Sequence, residues 1–248
     1  MRLENKTAIV TGAASGLGKA IVEKFLEEGS KVIIVDINED AARELSENLG
    51  AKTLAVKADV GDTKSVEHLK KCVFDSFERV DVVVNNAGVT HLPTPLDEVT
   101  EEDFDRVFRV NCKSVYLMAK AFVPEMKNQG SGSILNIAST AGVSPRPNLN
   151  WYNSSKGWMN TATKTMAVEL APFGVRVNAV HPVASETPLL ASFMGEDTPE
   201  IRQKFLSTIP LGRFAQPEDI ANAACYLSSE EASMVTGVCM QVDGGRCI

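Results

Sequence analysis

With 248 residues and 44% hydrophobic composition, the chain can bury a sizeable core, and one domain over residues 1–248 accounts for its length. The formal net charge of -7 argues against a nucleic-acid or anionic-membrane partner, either of which calls for clustered Lys and Arg. Met1–Lys6 is no signal-peptide start and no apolar stretch reaches membrane-spanning length, so a cytoplasmic protein that handles small molecules is expected.

Apolar runs alternate with helical patterns. Residues 7–10 read as a strand, 16–28 as a helix with Ile21, Val22, Phe25 and Leu26 at helical spacing, and 31–35 as the next strand. Further strands are expected at 53–56, 80–84, 133–137, 175–180 and 238–242, with helices at 39–49, 63–77, 100–127, 152–172 and 217–227. Near-continuous apolar strands such as Val82-Val83-Val84 suit a parallel sheet covered on both faces. The expected fold is α/β: a Rossmann-type, doubly wound parallel sheet of about seven strands flanked by helices. Pro93-Thr94-Pro95 and Pro145-Arg146-Pro147 mark loops, and the weakly periodic stretch 183–216 reads as a lid over the cofactor edge.

The first strand runs into Thr11-Gly12-Ala13-Ala14-Ser15-Gly16-Leu17-Gly18, and its glycines fall where a chain must turn tightly and let a pyrophosphate approach the backbone. Asp36 ends the second strand, where a carboxylate can accept the adenosine ribose hydroxyls or cap the following helix. It repels a 2'-phosphate, and neither Ile37 nor Asn38 offers a compensating cation, so the expected cofactor is NAD. Asp59-Val60 after the third strand are candidates for the adenine edge, and Asn85-Asn86-Ala87-Gly88 after the fourth for the middle of the cofactor.

The reacting centre reads from Ser139, Tyr152 and Lys156. Four residues separate Tyr152 from Lys156, which puts phenol and ammonium one turn apart on a helix face. A phenol with a pKa near 10 needs a shift of about 2 to 3 units to work at neutral pH, which the Lys156 ammonium and the positive nicotinamide of NAD⁺ can supply. Met159, Ala162, Met166 and Leu170 read as the buried face of this helix, with Trp151 and Trp158 as packing or pocket wall. His68 is expected to face solvent and His181 to lie near the nicotinamide. His91 reads as a surface-loop residue, with the pocket edge as the alternative. Arg146 and Arg202 read as exposed, with contact to an anionic substrate as the alternative. No histidine has a metal partner at useful spacing, and the five cysteines (Cys72, Cys112, Cys225, Cys239, Cys247) form no CxxC pair and read as reduced, mostly buried thiols.

Over essentially its whole length the chain resembles the short-chain dehydrogenase/reductase family. The resemblance rests on Thr11 to Gly18, Asp59, Asn85 to Gly88, Asn111, Ser139, Tyr152 with Lys156, Asn178 with Pro182, and Val242-Asp243-Gly244-Gly245. It implies Tyr152 as general acid and base, Lys156 on the nicotinamide ribose, Ser139 on the substrate oxygen, and Asn111 holding a water that links Lys156 to solvent. It implies that Pro182 and Thr187 meet the nicotinamide carboxamide, although Val183 stands where the family usually has glycine. It also implies a homo-oligomer, commonly a tetramer, packed through the helices from Thr100 and Tyr152 and the chain's end. The activity so implied is NAD(H)-dependent interconversion of a secondary alcohol and a ketone. A 3-oxoacyl thioester reductase, a sugar or polyol dehydrogenase and an NAD-sensing binding protein stand as alternatives.

Overall fold

Residues 1–248, all described by a computed structural model, begin with β1 (Thr7–Thr11), α1 (Gly16–Glu27), β2 (Lys31–Asp36), α2 (Glu39–Leu49), β3 (Thr53–Lys57) and α3 (Thr63–Ser76). Then come β4 (Val82–Asn85), α4 (Glu101–Phe108), a π-helical turn (Arg109–Lys113), α5 (Ser114–Gln129) and β5 (Gly132–Ile137). The chain ends with α6 (Asn150–Leu170), β6 (Val175–Pro182), α7 (Leu190–Met194), α8 (Pro199–Leu206), α9 (Pro217–Ser228) and β7 (Cys239–Val242). All seven strands pair in parallel, in the order β3-β2-β1-β4-β5-β6-β7. This is the doubly wound sheet expected from the sequence.

Alternation along each strand divides the core between the two faces. Val10, Ile34, Val82, Val84, Leu135 and Val180 pack with α1 and α9, while Ile9, Ile33, Val83, Ile134 and Val177 pack with α3, α5 and the far end of α6. β1 and β4 are buried along their whole length, and Ala8, Ile9 and Val10 and Val82, Val83 and Val84 are accordingly apolar on both sides.

The strand order reverses between β1 and β4, and the chain is tied tightly there. Thr11 Oγ1 accepts from the N–H groups of Asn86 (3.1 Å) and Ala87 (3.0 Å), and Asn86 Nδ2 donates to the carbonyls of Thr11 (2.8 Å) and Gly12 (2.9 Å). Ligands of doubly wound sheets bind in the crevice that opens at such a reversal.

Two parts of the chain differ from the sequence reading. The expected helix 100–127 is interrupted by the π-helical turn, which carries Asn111. Residues 183–216 hold α7 and α8 and a parallel bridge between Ser185 and Ala215. Within this segment Arg202 is held by Glu186 (3.0 Å) and Asp197, so it is an internal tie of the segment. No helix is long and apolar enough to cross a membrane.

Candidate active site

At the carboxyl ends of the strands one cavity of about 640 Å³ runs from Asp36 and Asp59 past Gly12, Gly16 and Gly88 to Ser139, Tyr152 and Lys156. Of the residues singled out in the sequence, Gly12, Ser15, Gly16, Leu17, Asp36, Asp59, Val60, Asn86, Ala87, Gly88, Ser139, Tyr152, Lys156, Pro182 and Thr187 line it. Gly18 and Asn111 lie behind the lining.

The glycine turn has the shape a pyrophosphate needs. Gly12 (φ +60°) and Gly16 (φ +53°) take left-handed backbone, and a Cβ on Gly12 would stand 2.8 Å from Ala87 Cα. A Cβ on Gly18 would fall 2.2 Å from the Gly12 carbonyl oxygen, so α1 can approach β1 this closely only without a side chain there. Ser15, the N-cap of α1, makes no side-chain cap, which leaves the first N–H groups of the helix facing the cavity. Thr187 and Pro188 of the 183–216 segment close over Gly16, 3.4 and 3.7 Å from where its Cβ would be.

At the far end Asp36 accepts from Ala14 N–H and Asn38 N–H, both at 3.0 Å, while Asn38 rather than Asp36 caps α2. Asp59 is paired with Arg109 at 2.6 Å, an interaction the sequence did not suggest. Burial works against its carboxylate, but that pairing and the Gly61 N–H hold the pKa below the ordinary Asp value. These residues make a fitting cradle for a dinucleotide: two carboxylates at the adenosine end, bare backbone at the middle, and a cation further in.

That cation is Lys156, on the same face of α6 as Tyr152, with Nζ 5.9 Å from the centre of the phenol ring. Its Nζ donates to the Ile137 carbonyl (2.8 Å). Burial lowers its pKa to about 8. Ser139 lies two residues beyond β5 and its Oγ accepts from Ala141 N–H (3.1 Å), starting a short turn that packs on α6. A Cβ on Gly142 in that turn would meet the Lys156 carbonyl carbon at 2.8 Å. This close approach brings Ser139 beside the phenol on the wall of the cavity.

Burial nevertheless pushes the Tyr152 phenol up to about 12, with Ser139 pulling the other way. Lys156 lies on the expected face of α6; the expected lowering belongs to Lys156 and the positive nicotinamide of NAD⁺ together, and in the protein alone burial outweighs Ser139.

Asn111 is fully engaged. Its Oδ1 accepts from Val89 N–H (2.9 Å), and its Nδ2 donates to the Val89 carbonyl (2.9 Å) and to Ser155 Oγ (2.9 Å). Ser155 Oγ in turn donates to the Tyr152 carbonyl (2.7 Å). Ser155 was not identified from sequence, nor was the buried amide relay in which Asn85 Nδ2 donates to Asn136 Oδ1 (2.8 Å) and Asn136 Nδ2 to Thr163 Oγ1 (2.8 Å). Phe193 of α7 lies over Tyr152 at 5.0 Å between ring centres and is a further wall residue the sequence concealed.

His91 is no surface-loop residue. It is 1% exposed, with Nδ1 2.7 Å from the Leu92 carbonyl oxygen, and lies outside the cavity lining. His181 is buried with Nε2 2.7 Å from Asn160 Oδ1, and burial beside Lys156 lowers it to about 4, so it is neutral. Of the cysteines only Cys112 and Cys225 are fully buried. Val183 needs no left-handed backbone, since its N–H continues the β6–β7 ladder to the Val242 carbonyl (3.3 Å). Arg146, read as exposed, is half-buried in the cavity wall.

A family model described as "Enoyl-(Acyl carrier protein) reductase" matches residues 12–246. The chain is 46% identical to 4-formylbenzenesulfonate dehydrogenase of Comamonas testosteroni and 42% identical to a 3-oxoacyl-[acyl-carrier-protein] reductase of Thermotoga maritima, each over the whole of both chains. It superposes with a TM-score of 0.95 on a crystal structure of a 3-ketoacyl-(acyl-carrier-protein) reductase from Brucella melitensis complexed with NADH. That protein is 44% identical, and the match covers 99% of this chain and 100% of the other. The chain belongs to the short-chain dehydrogenase/reductase family and is an oxidoreductase acting on CH–OH groups.

Proposed function

We propose that the protein interconverts a secondary alcohol and a ketone with NAD(H), using Tyr152 as the proton donor and acceptor. The observation that carries this reading is a buried phenol that shares a cavity wall with Ser139, one helical turn from a buried lysine, in a cavity that continues to the glycine turn and Asp36. When bound, the nicotinamide supplies or takes up the hydride. Ser139 Oγ polarises the substrate carbonyl, and Tyr152 Oη delivers the proton to the oxygen as it gains charge. A phenol at about 12 is protonated throughout the neutral range and is ready as an acid in ketone reduction. In alcohol oxidation it must lose that proton, and the Lys156 ammonium is the nearby charge of the chain that favours phenolate. Lys156, 3.4 Å from the place of a Gly88 Cβ, is also positioned for the ribose hydroxyls. Asn111 holds Val89 and the start of α6 together, and the proton path from Lys156 to solvent is assigned to a water beside it.

Residues 1–248 form one catalytic domain in this reading, with 183–216 as its lid. Tyr116 on α5, Trp158 and Val168 on α6, and Ile248 at the chain's end are exposed apolar residues that support a homotetramer packed through those helices and the terminus. A cytoplasmic location is part of the same proposal.

Two substrate readings have specific support. The Thermotoga and Brucella relatives favour a 3-oxoacyl thioester, whereas the Comamonas relative is named for an aryl aldehyde carrying a sulfonate. The test is NADH oxidation over cyclic ketones, aryl carbonyls, keto sugars and an acetoacetyl thioester, with Tyr152→Phe as comparison. The variant should lose about 10³-fold in kcat and bind NADH within about threefold of the parent. Turnover retained within about tenfold would remove Tyr152 from the chemistry.

A further inference from the structure

We propose that Arg146 is the specificity-determining residue of the substrate pocket and selects carbonyl substrates that bear a carboxylate or sulfonate remote from the reacting carbon. This rests on the reading of Ser139 and Tyr152 as the reacting centre. Arg146 lines the same cavity as those two residues. Unlike Arg106, Arg109, Arg202 and Arg213, it has no carboxylate partner. One of its five N–H donors is used, from Nη2 to Thr208 Oγ1 (2.9 Å), and its flat face stacks on Phe205 at 4.2 Å. A half-buried guanidinium with free donors and no counter-charge is set up for bidentate recognition of a planar oxyanion.

Its mounting is rigid. Pro145 and Pro147 fix the backbone on either side. Asn153, next to Tyr152, donates from Nδ2 to the Arg146 carbonyl (2.8 Å), and Thr94 N–H donates to the Asn148 carbonyl (2.9 Å). The anion site and the acid/base thus hang on the first turn of α6, which fixes the distance between them.

The surroundings favour negative charge. Arg246, whose Nη1 donates to Ser144 Oγ (2.8 Å) at the cavity edge, also has no carboxylate partner, and burial together with this second cation lowers the Arg146 pKa. The acids that line the cavity apart from the reacting centre are Asp36, which ends β2, and Asp59, which follows β3. Arg146 follows β5, three strands from β2 in the sheet order, or about 14 Å at the usual strand spacing. Leu149, Phe193 and Phe205 give the space beside Arg146 apolar walls that suit a flat carbon skeleton.

Arg146 also ties its loop to the lid through Thr208, so the test must separate selection from bracing. The NADH-loaded protein is titrated with 4-acetylbenzoate, 4-acetylbenzenesulfonate and methyl 4-acetylbenzoate, followed by nicotinamide fluorescence, and the turnover of each is measured. Both anions should bind at least about thirtyfold tighter than the ester, and Arg146→Ala should collapse that ratio to within about threefold, with Arg146→Lys recovering part of it. Equal binding of ester and anions by the parent, no binding of either anion, or a loss in Arg146→Ala shared by all three compounds would overturn the proposal. Tyr152→Phe should abolish turnover and keep the ratio. Anion preference without turnover in the parent would sink the acid/base reading and leave this one standing.

Discussion

Replacing Asp36 by alanine tests the cofactor reading at one atom pair. In the proposed reading the half-buried carboxylate faces the ribose 2'-substituent, and the nearby cations are already engaged. Lys57, paired in register with Asp36, has Nζ 3.5 Å from Glu39 Oε2, and Arg43 is held by Glu39 at 2.7 Å. A phosphate placed there meets Asp36 with no free counter-charge. Unit charges at 4 Å and an effective dielectric near 20 repel by about 4 kcal/mol, and solvent screening at this partly exposed edge brings the total to about 2–3 kcal/mol. NADPH should therefore bind about 30- to 150-fold more weakly than NADH, read as Kd by quenching of protein fluorescence. Asp36→Ala removes the repulsion and also the acceptor for the ribose hydroxyls, so NADH should weaken about tenfold while NADPH improves, bringing the two within about threefold. The reasoning fails if the parent binds both cofactors alike, or if its preference survives in the variant, since another group would then be discriminating.

Gly18→Ala should destabilise the protein by at least about 2 kcal/mol and abolish measurable NADH binding, because its Cβ would stand 2.2 Å from the Gly12 carbonyl and 2.6 Å from Asn86 Nδ2. Thermal melting and NADH titration check it, and a variant that melts and binds like the parent would show that α1 does not need this approach. For Lys156, folding lowers the pKa to about 8 from an ordinary value near 10.4, so between these pH values the unfolded chain binds more protons and stability rises with pH. Lys156→Met should be more stable than the parent at pH 7 by about 1–2 kcal/mol, after the lost bond to Ile137 is set against the removed burial cost, and the difference should vanish by about pH 10. Denaturant melts at both pH values decide it; a variant less stable than the parent at pH 7 would show that Lys156 is charged at little cost. Val183→Gly removes a core side chain and should lower stability by about 2–3 kcal/mol while holding kcat within about threefold, and a hundredfold loss of kcat would make Val183 a pocket-shaping residue.

The strands and most helices were legible because a parallel sheet buried on both faces leaves a strong mark: continuous apolar runs, each followed by helical periodicity. The site residues were legible because strand ends in such a sheet point into one crevice. The π-helical turn at Arg109–Lys113 left no trace, since one extra residue in a helical turn barely disturbs the period. Helix α7 has five residues and α8 eight, too short for periodicity to speak, although Thr198-Pro199-Glu200 is a readable start, with Thr198 Oγ1 accepting from Ile201 N–H. Burial of polar groups was the least legible property. His91 and Asn136 are inside and Arg146 is half-buried because long-range packing covers them, and no local pattern encodes that.

The charged groups are unevenly placed along the cavity. Asp36 and the Asp59–Arg109 pair stand at the β2–β3 side, the free N–H groups of α1 and then the Lys156 ammonium at the centre, and the unpaired guanidinium Arg146 at the far side, with Arg246 at its edge. A dinucleotide matches the first two stretches in order, with hydroxyls against carboxylates and phosphates against N–H groups. Continuing the same sequence, the position beyond the reacting carbon is the one where negative charge is favoured. An anionic carbonyl compound entering from that side has its charged end held by Arg146, so its carbonyl is turned toward Ser139 and Tyr152. The reversed pose would leave the anion near Tyr152, whose phenolate form it would disfavour, and would leave the guanidinium half-buried and unpaired. The same contacts that would select the substrate would therefore orient it, and its binding energy would appear partly as rate: shortening the substrate to remove the anion should lower kcat as well as raise KM.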